Sequence, residues 1–511
     1  MVVTYGVVAI FFALVIWILQ RSFVADKSFT DYAVGGRSFG GFYQAMSFLN
    51  TWYPGATFVA FAGLSAGAGV LGFYGLTCGL LTVVVMYLMA QRVWIWGSQF
   101  DLRTQADLFA LRYNSRHIRT VAAVIGIVSS FPWLILGLQA LGVVFHALSL
   151  GQMSFPACVV IGVLVMVVRQ FWTIRMGMRG VVISDMFQGI VAYIGGAILL
   201  LGMTIWLVTT QGAGFDKMPA RMFDIPGFGS PTGPLYLFAL MFTGALGGWC
   251  WPAVFVRLYT ADGVRSLKQS AAIGVPLSYL FYLALTFFAF FGSIFPEVQA
   301  APHEVFFIVS QKAGGTWMLA LAGTVVLAAS MGAIDGGIQA SGAQIANDIV
   351  GNYAKLEHRQ MLLSAKLGML AMTILGAVIA CFEIPQLFAL AVLAYQGVIQ
   401  LAVPQFVGIF WKRGNKYGAT AGMVCGFVVA VVLEMAHPTF VPWAYGLTSG
   451  VIALAVNLVI YVAAAYLIRM PDAERRRVDD MFASVARPAP EASAVTGAAV
   501  TVLAAESVAH R

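Results

Sequence analysis

The chain has 511 residues, of which 60% are hydrophobic and only 10% charged, with a mean hydropathy of +0.87. A soluble domain is about 45–50% apolar and about 25% charged, so this composition excludes a soluble enzyme. Lys and Arg outnumber Asp and Glu by 29 to 21, a net charge of +8, and the placement of these charges needs no nucleic-acid partner to explain it.

A membrane-spanning helix needs roughly 20 apolar residues. In chain order thirteen segments qualify: 4–20, 42–70, 72–96, 119–147, 154–170, 181–209, 233–258, 271–295, 316–349, 362–381, 384–410, 417–436 and 442–468. The first has no basic leader or small-residue cleavage site and reads as a retained helix. With the N-terminus outside and sides alternating, only Lys217, Arg221 and Lys312 of the 29 basic residues fall outside. That asymmetry predicts an outside N-terminus and a cytoplasmic C-terminus. Residues 484–511 are rich in Ala, Pro, Ser and Val and read as a disordered cytoplasmic end. The five cysteines lie in apolar runs without CxxC spacing. Disulfides and zinc are not expected, and neither is any cofactor.

Two segments carry helix breakers at mid-depth. Segment 42–70 holds Pro54-Gly55, and segment 233–258 holds Gly247-Gly248 and Pro252. Proline removes a backbone donor and clashes with the preceding turn. Unwound backbone at membrane depth is tolerated where it lines a cavity or is buried in protein. These are the second and seventh segments, five apart, as in transporters built from inverted repeats with a site at the midplane. The expected fold is all-α, with thirteen spans and two inverted five-helix repeats of the leucine-transporter type. Its parts are an extra helix and linker (1–41), repeat 1 (42–209), repeat 2 (233–410), two further helices (411–470) and a cytoplasmic, partly disordered tail (471–511). Two unrelated proline kinks are the plainer alternative.

Four strings occur in order: DYAVGGR at 31–37, TQADLFALRY at 104–113, GMRGVVISDMFQ at 177–188, and PQFVGIFWKR at 404–413 followed by Gly418-Ala419. Together they resemble the sodium:solute symporter family over roughly residues 1–470. That family includes carriers of proline, sugars, sialic acid, pantothenate and monocarboxylates, and Tyr53-Pro54-Gly55 looks nearest to the last. The resemblance implies a sodium site with carbonyl ligands at Asn50, Tyr53 and Ala329 and a hydroxyl pair at positions 332 and 333. Here those positions are Gly332 and Ala333, so two of five oxygen ligands are missing and sodium binding is weakened. Asp185 matches the acid of a family motif tied to a second sodium site in some members, with Ser184 where Thr is common. Pairing with Arg179 is the plainer reading of Asp185.

Ionisable groups inside a span are functional by default. Asp335 lies deep in 316–349, and no Lys or Arg is expected at mid-depth. Asp335 falls one turn after Gly332 on nearly the same face. It is expected to lean over the space left there, either coordinating sodium or carrying a proton, the proton being preferred because it needs no coordination shell. Substrate contacts are expected at the breaks. Gly55, Ala56 and Thr57 offer amides at a helix N-terminus, which favours an anion. Trp52, Tyr53, Trp249 and Trp251 offer aromatic walls, and Gln139 and Gln396 are polar groups in apolar helices. Packing or a place at the lipid interface is the plainer account of the aromatics.

The expected function is secondary-active, cation-coupled carriage of a small organic solute, a carboxylate or other organic anion, by alternating access. The coupling ion is Na+ or H+. The expected working unit is a monomer in a prokaryotic plasma membrane. A solute sensor on the same fold is the alternative, disfavoured because no output domain follows the last helix. A channel is disfavoured by the absence of a selectivity sequence.

Overall fold

The computed structural model describes residues 1–24, 28–382 and 387–486. Lys27 and the tail beyond 486, which the sequence reads as disordered, lie outside the described residues. The described residues are overwhelmingly helical, with two isolated bridges, Phe39 to Ala261 and Val441 to Leu447, in place of any sheet.

Helix α1 (Val2–Arg21) buries Thr4, Val8, Phe11, Val15 and Leu19. This three- and four-residue spacing lays one stripe on the bundle, while Ile10, Leu14 and Trp17 stay exposed on the outer face. Helix α2 (Gly41–Trp52) stops at Tyr53, whose φ of −112° and ψ of 72° leave the helical region. Pro54 is the cause, because it disfavours helical geometry in the residue before it. The chain resumes as a π-turn at Thr57–Phe61 and α3 (Ala62–Ala68), then α4 (Tyr74–Gln99). Helix α5 (Gln105–Tyr113) starts with a capping box formed by Thr104 and Asp107, which satisfies two orphan amide donors. Helices α6 (Arg116–Leu148), α7 (Phe155–Gly189) and α8 (Gly196–Thr209) follow.

Helix α9 (Tyr236–Gly247) ends in a tight turn at Gly248–Cys250. Trp251 is extended ahead of Pro252 and two one-turn pieces, Pro252–Phe255 and Arg257–Thr260. The two arms of this second broken helix meet at 59°. The remaining helices are α10 (Val264–Gly292), α11 (Val305–Gln344), α12 (His358–Ala380), α13 (Leu387–Val398), α14 (Lys416–Ala436), α15 (Ser449–Leu467) and α16 (Asp472–Ala483).

Among the described residues ten helical stretches are long and apolar enough to cross a membrane, or eleven if the bent pair counts as one span. The sequence expects thirteen, and the difference has two sources. Segments 154–170 and 181–209 run together as the 55-residue stretch Phe155–Thr209. The helix breaks within the Arg-rich strip between them, at Gly177, whose φ of +56° and ψ of −145° are not helical, and resumes directly after it. A Cβ there would also run into the Tyr32 carbonyl, so glycine is required twice over. The break at Tyr53–Pro54 leaves α2 only 12 residues long, while its second arm continues with the next segment as Thr57–Gln99.

Candidate functional site

Both broken helices are buried, and their breaks face one cavity. Thr51, Trp52, Pro54 and Ala56 line it from the first break, and Trp251, Ala253 and Val254 from the second. Trp133 on α6 and Tyr395 on α13 close it, with ring centroids 5.7 and 5.5 Å from that of Trp251. Ser130, Ser341 and Thr51 add hydroxyls, and among the described residues no charged side chain lines the wall. The Trp251 indole N–H makes no well-aligned hydrogen bond. A second cavity shares Trp52, Trp133 and Tyr395 with the first and adds Tyr53 and Thr57.

The carbonyls released by the second break are not left bare. Gln405 Nε2 donates to the Trp249 carbonyl (2.9 Å) and Gln105 Nε2 to that of Cys250 (2.9 Å). The two glutamines bond each other at 2.7 Å. They belong to two of the four strings that carried the resemblance. Their work is to hold unwound backbone that would otherwise be unsatisfied.

The structure redistributes the expected site residues. Trp52, Ala56 and Trp251 meet at the first cavity, and Ala333, expected at the ion site, lies in its wall. Tyr53 and Thr57 line the second, with the Tyr53 hydroxyl 2.6 Å from Ser278. Thr57 does not offer a free amide, because its N–H turns back to the Pro54 carbonyl at 2.7 Å. Gly55 is absent from the wall and packs on α11, where a Cβ would meet Ser330 and the Val326 carbonyl. Trp249 points away from both cavities, donating to the Thr82 carbonyl (2.7 Å) and stacking on Phe48. Gln139 donates to the carbonyls of Ala380 and Phe382 (2.7 and 2.6 Å) at the end of α12. Gln396 accepts from the Gly450 amide (2.7 Å) at the start of α15. Both glutamines satisfy orphan groups of helix ends, and neither lines either of these two cavities.

The ion locus departs furthest from expectation. Two arginines, Arg169 and Arg257, are buried inside the bundle, contrary to the expectation of no cation at mid-depth. Arg257 donates to Asp185 (2.9 Å) and to Ser47 (2.9 Å). Asp185 also accepts from Ser47 (2.7 Å) and Asn50 (2.9 Å). Its ion-pair partner is therefore Arg257, not Arg179. Asp335 is paired with Arg169 and accepts from Thr173 (3.2 Å). The space over Gly332 is filled by Asn50 and Asp185, which a Cβ would strike, so Asp335 does not lean into a hole there. The Tyr53 carbonyl, expected as an ion ligand, accepts the Tyr193 hydroxyl. Both arginines close spans by sequence, which hid their inward turn. Trp133, sandwiched by sequence between Pro132 and an apolar run, was likewise indistinguishable from lipid-facing tryptophans.

A helical bundle of apolar spans, with two broken helices meeting at an aromatic cavity, has the architecture of a membrane transport protein. The family model of the sodium:solute symporter family matches residues 32–426. The chain belongs to the sodium:solute symporter family. It is 23% identical to an uncharacterized symporter, YhjB, of Bacillus subtilis over 87% of this chain and 92% of that one. It is 24% identical to a monocarboxylic acid transporter of Corynebacterium glutamicum over 86% and 84% of the two chains. Among solved structures it resembles a Na+-coupled sialic acid symporter, TM-score 0.72 at 17% identity, covering 91% of this chain and 97% of the other. That likeness and a weaker one to Mhp1, a nucleobase-cation-symport-1 family transporter (TM-score 0.53, 15% identity, 87% and 97% covered), place the fold among leucine-transporter-type transporters.

Proposed function

We propose that the chain carries a short, largely apolar carboxylate across a membrane by alternating access, coupled to a cation. The observation that carries this is the convergence of both helix breaks on one buried cavity. Broken helices give a transporter its substrate site because they present backbone groups and can rock against their neighbours. Three tryptophans and a tyrosine suit an apolar body. The amide of Ala56, in the cavity wall at the start of the arm after Pro54, suits an anionic end. The Corynebacterium glutamicum relative supports the same substrate class.

On this reading 42–209 and 233–410 are inverted repeats. The stretch Phe155–Thr209, at 55 residues, would measure about 80 Å, more than twice a ~30 Å hydrocarbon core. It therefore counts as two spans divided at Gly177; Thr57–Gln99 is likewise divided at Gly69, its first arm joining α2 as one broken span, and with the bent pair as one span the total becomes thirteen, with the N-terminus outside. The protein works as a monomer in a prokaryotic plasma membrane. Counterflow tests the substrate: proteoliposomes loaded with an unlabelled short carboxylate accumulate the labelled one without any ion gradient. Binding of carboxylates without counterflow would replace the carrier by a sensor.

A further inference from the structure

Four ionised side chains meet in the bundle beside the first break: Asp185, Asp335, Arg169 and Arg257. All four are at most 2% exposed. Their charges cancel, two negative against two positive. A further cation brought among them would leave a net positive charge in low dielectric, which is costly.

The oxygens there are also occupied. A hard cation is held by oxygen atoms with free lone pairs. Asp185 accepts from Arg257, Ser47 and Asn50. The Met331 carbonyl accepts from Arg169 at 3.0 Å, and the Ala253 carbonyl from Arg257. The Tyr53 carbonyl accepts the Tyr193 hydroxyl, whose oxygen also lies 3.2 Å from the Asn50 side-chain oxygen. Of the two carboxylates, only Asp335 Oδ1 has no partner.

Space gives the third argument. A Cβ on Gly336 would come within 2.7 Å of the Arg257 guanidinium, and one on Gly332 would strike Asn50 and Asp185. These two glycines on α11 make room for the network. Side-chain hydroxyls are absent from position 332 because protein atoms already fill the volume.

We infer that Arg257 and Arg169 supply, as fixed parts of the chain, the positive charge that a sodium ion would bring between the first broken helix and α11, so that the chain holds no sodium at this locus. The inference rests on the transporter reading only for its consequence, that solute accumulation does not draw on sodium here. Arg257 is the closer stand-in, since it touches Ser47 on α2 and Asp185 on α7 together.

Thermal melting of the purified chain in detergent tests this without any solute, so its outcome is independent of the counterflow result. Wild-type protein is compared in sodium, potassium and choline chloride at equal ionic strength. The expected result is no sodium-specific rise in Tm. Arg257→Gln exposes the Asp185 carboxylate and is expected to gain a saturable, sodium-specific rise, whereas Arg257→Lys remains indifferent to sodium. A sodium-specific rise in wild type that disappears in Asp185→Asn overturns the inference. A rise that survives Asp185→Asn places sodium elsewhere and upholds it. A folded Arg257→Gln protein that ignores sodium overturns the role given to Arg257, and the wild-type comparison stands even if that variant does not fold.

Discussion

Asp335 shows how much a single residue's meaning depends on its neighbour. Alone in an apolar helix it suggests a coupling group; against Arg169 it is half of a buried pair. Removing one partner of such a pair leaves the other charge unpaired, at a cost of about 3–5 kcal/mol. Asp335→Asn is therefore expected to lower Tm sharply, and the double variant Arg169→Gln/Asp335→Asn to recover much of the loss in a thermal double-mutant cycle. Gly55 changes meaning in the same way. Its missing side chain admits Ser330 and the Val326 carbonyl of α11, so Gly55→Leu is expected to reduce the yield of folded protein. The position for blocking transport is Ala333, in the cavity wall. Ala333→Leu should abolish counterflow while leaving Tm close to wild type, because it fills space rather than displacing backbone.

At the scale of elements, α16 was unreadable as a docked piece. Its sequence, DAERRRVDDMFA, is strongly charged, and charge alone suggests a solvated segment. Val478 and Met481 are nevertheless buried, the Met481 carbonyl accepts from Trp96 Nε1 (2.9 Å), and Arg477 donates to the Leu111 and Arg112 carbonyls (2.8 and 2.9 Å) at the end of α5. Hydrogen bonds from a charged group are worth about 1.5–3 kcal/mol each. Arg477→Ala should release α16 locally, seen as faster amide exchange over 472–483 with little change elsewhere. A surface contrast lies at the start of α11, where the Lys312 ammonium, hydrogen-bonded to Glu297 at 2.8 Å, draws that carboxyl below its ordinary range. A depressed folded value stabilises above the unfolded pKa and is lost as pH falls through the folded one. Both groups are solvated, so Lys312→Ala should raise the Glu297 titration midpoint by NMR and leave Tm unchanged.

At the scale of the whole molecule, the orientation can be checked directly. In a background with Cys381 and Cys425 replaced by Ala, a cysteine at Lys217 should react with an impermeant maleimide added to intact cells. One at Lys355 should react only after permeabilisation. The reverse pattern would invert the topology.

Span positions, the two breaks and the asymmetry of charge were legible in the sequence because each depends on local transfer energy or local backbone geometry. Pro54 followed by Gly55 combines a missing donor with a poor helix former and so marks a break locally, whereas Pro132 and Pro276 alone leave α6 and α10 continuous, and twenty apolar residues prefer hydrocarbon whatever surrounds them. The number of separate helices was less legible. In Phe155–Thr209 the two hydrophobic segments adjoin across the single non-helical residue Gly177, with no loop between them, so the strip of arginines does not mark a separate connection. The interior of the site was decided by tertiary structure alone. Whether Arg169 meets lipid headgroups or Asp335, whether Trp133 faces acyl chains or Trp251, and whether Gly332 leaves a hole or accommodates Asn50 depend on which distant segments are apposed. The cost of burying a charge or an unfilled volume depends on the group that arrives from the other helix, and no local pattern along the chain records which group that is.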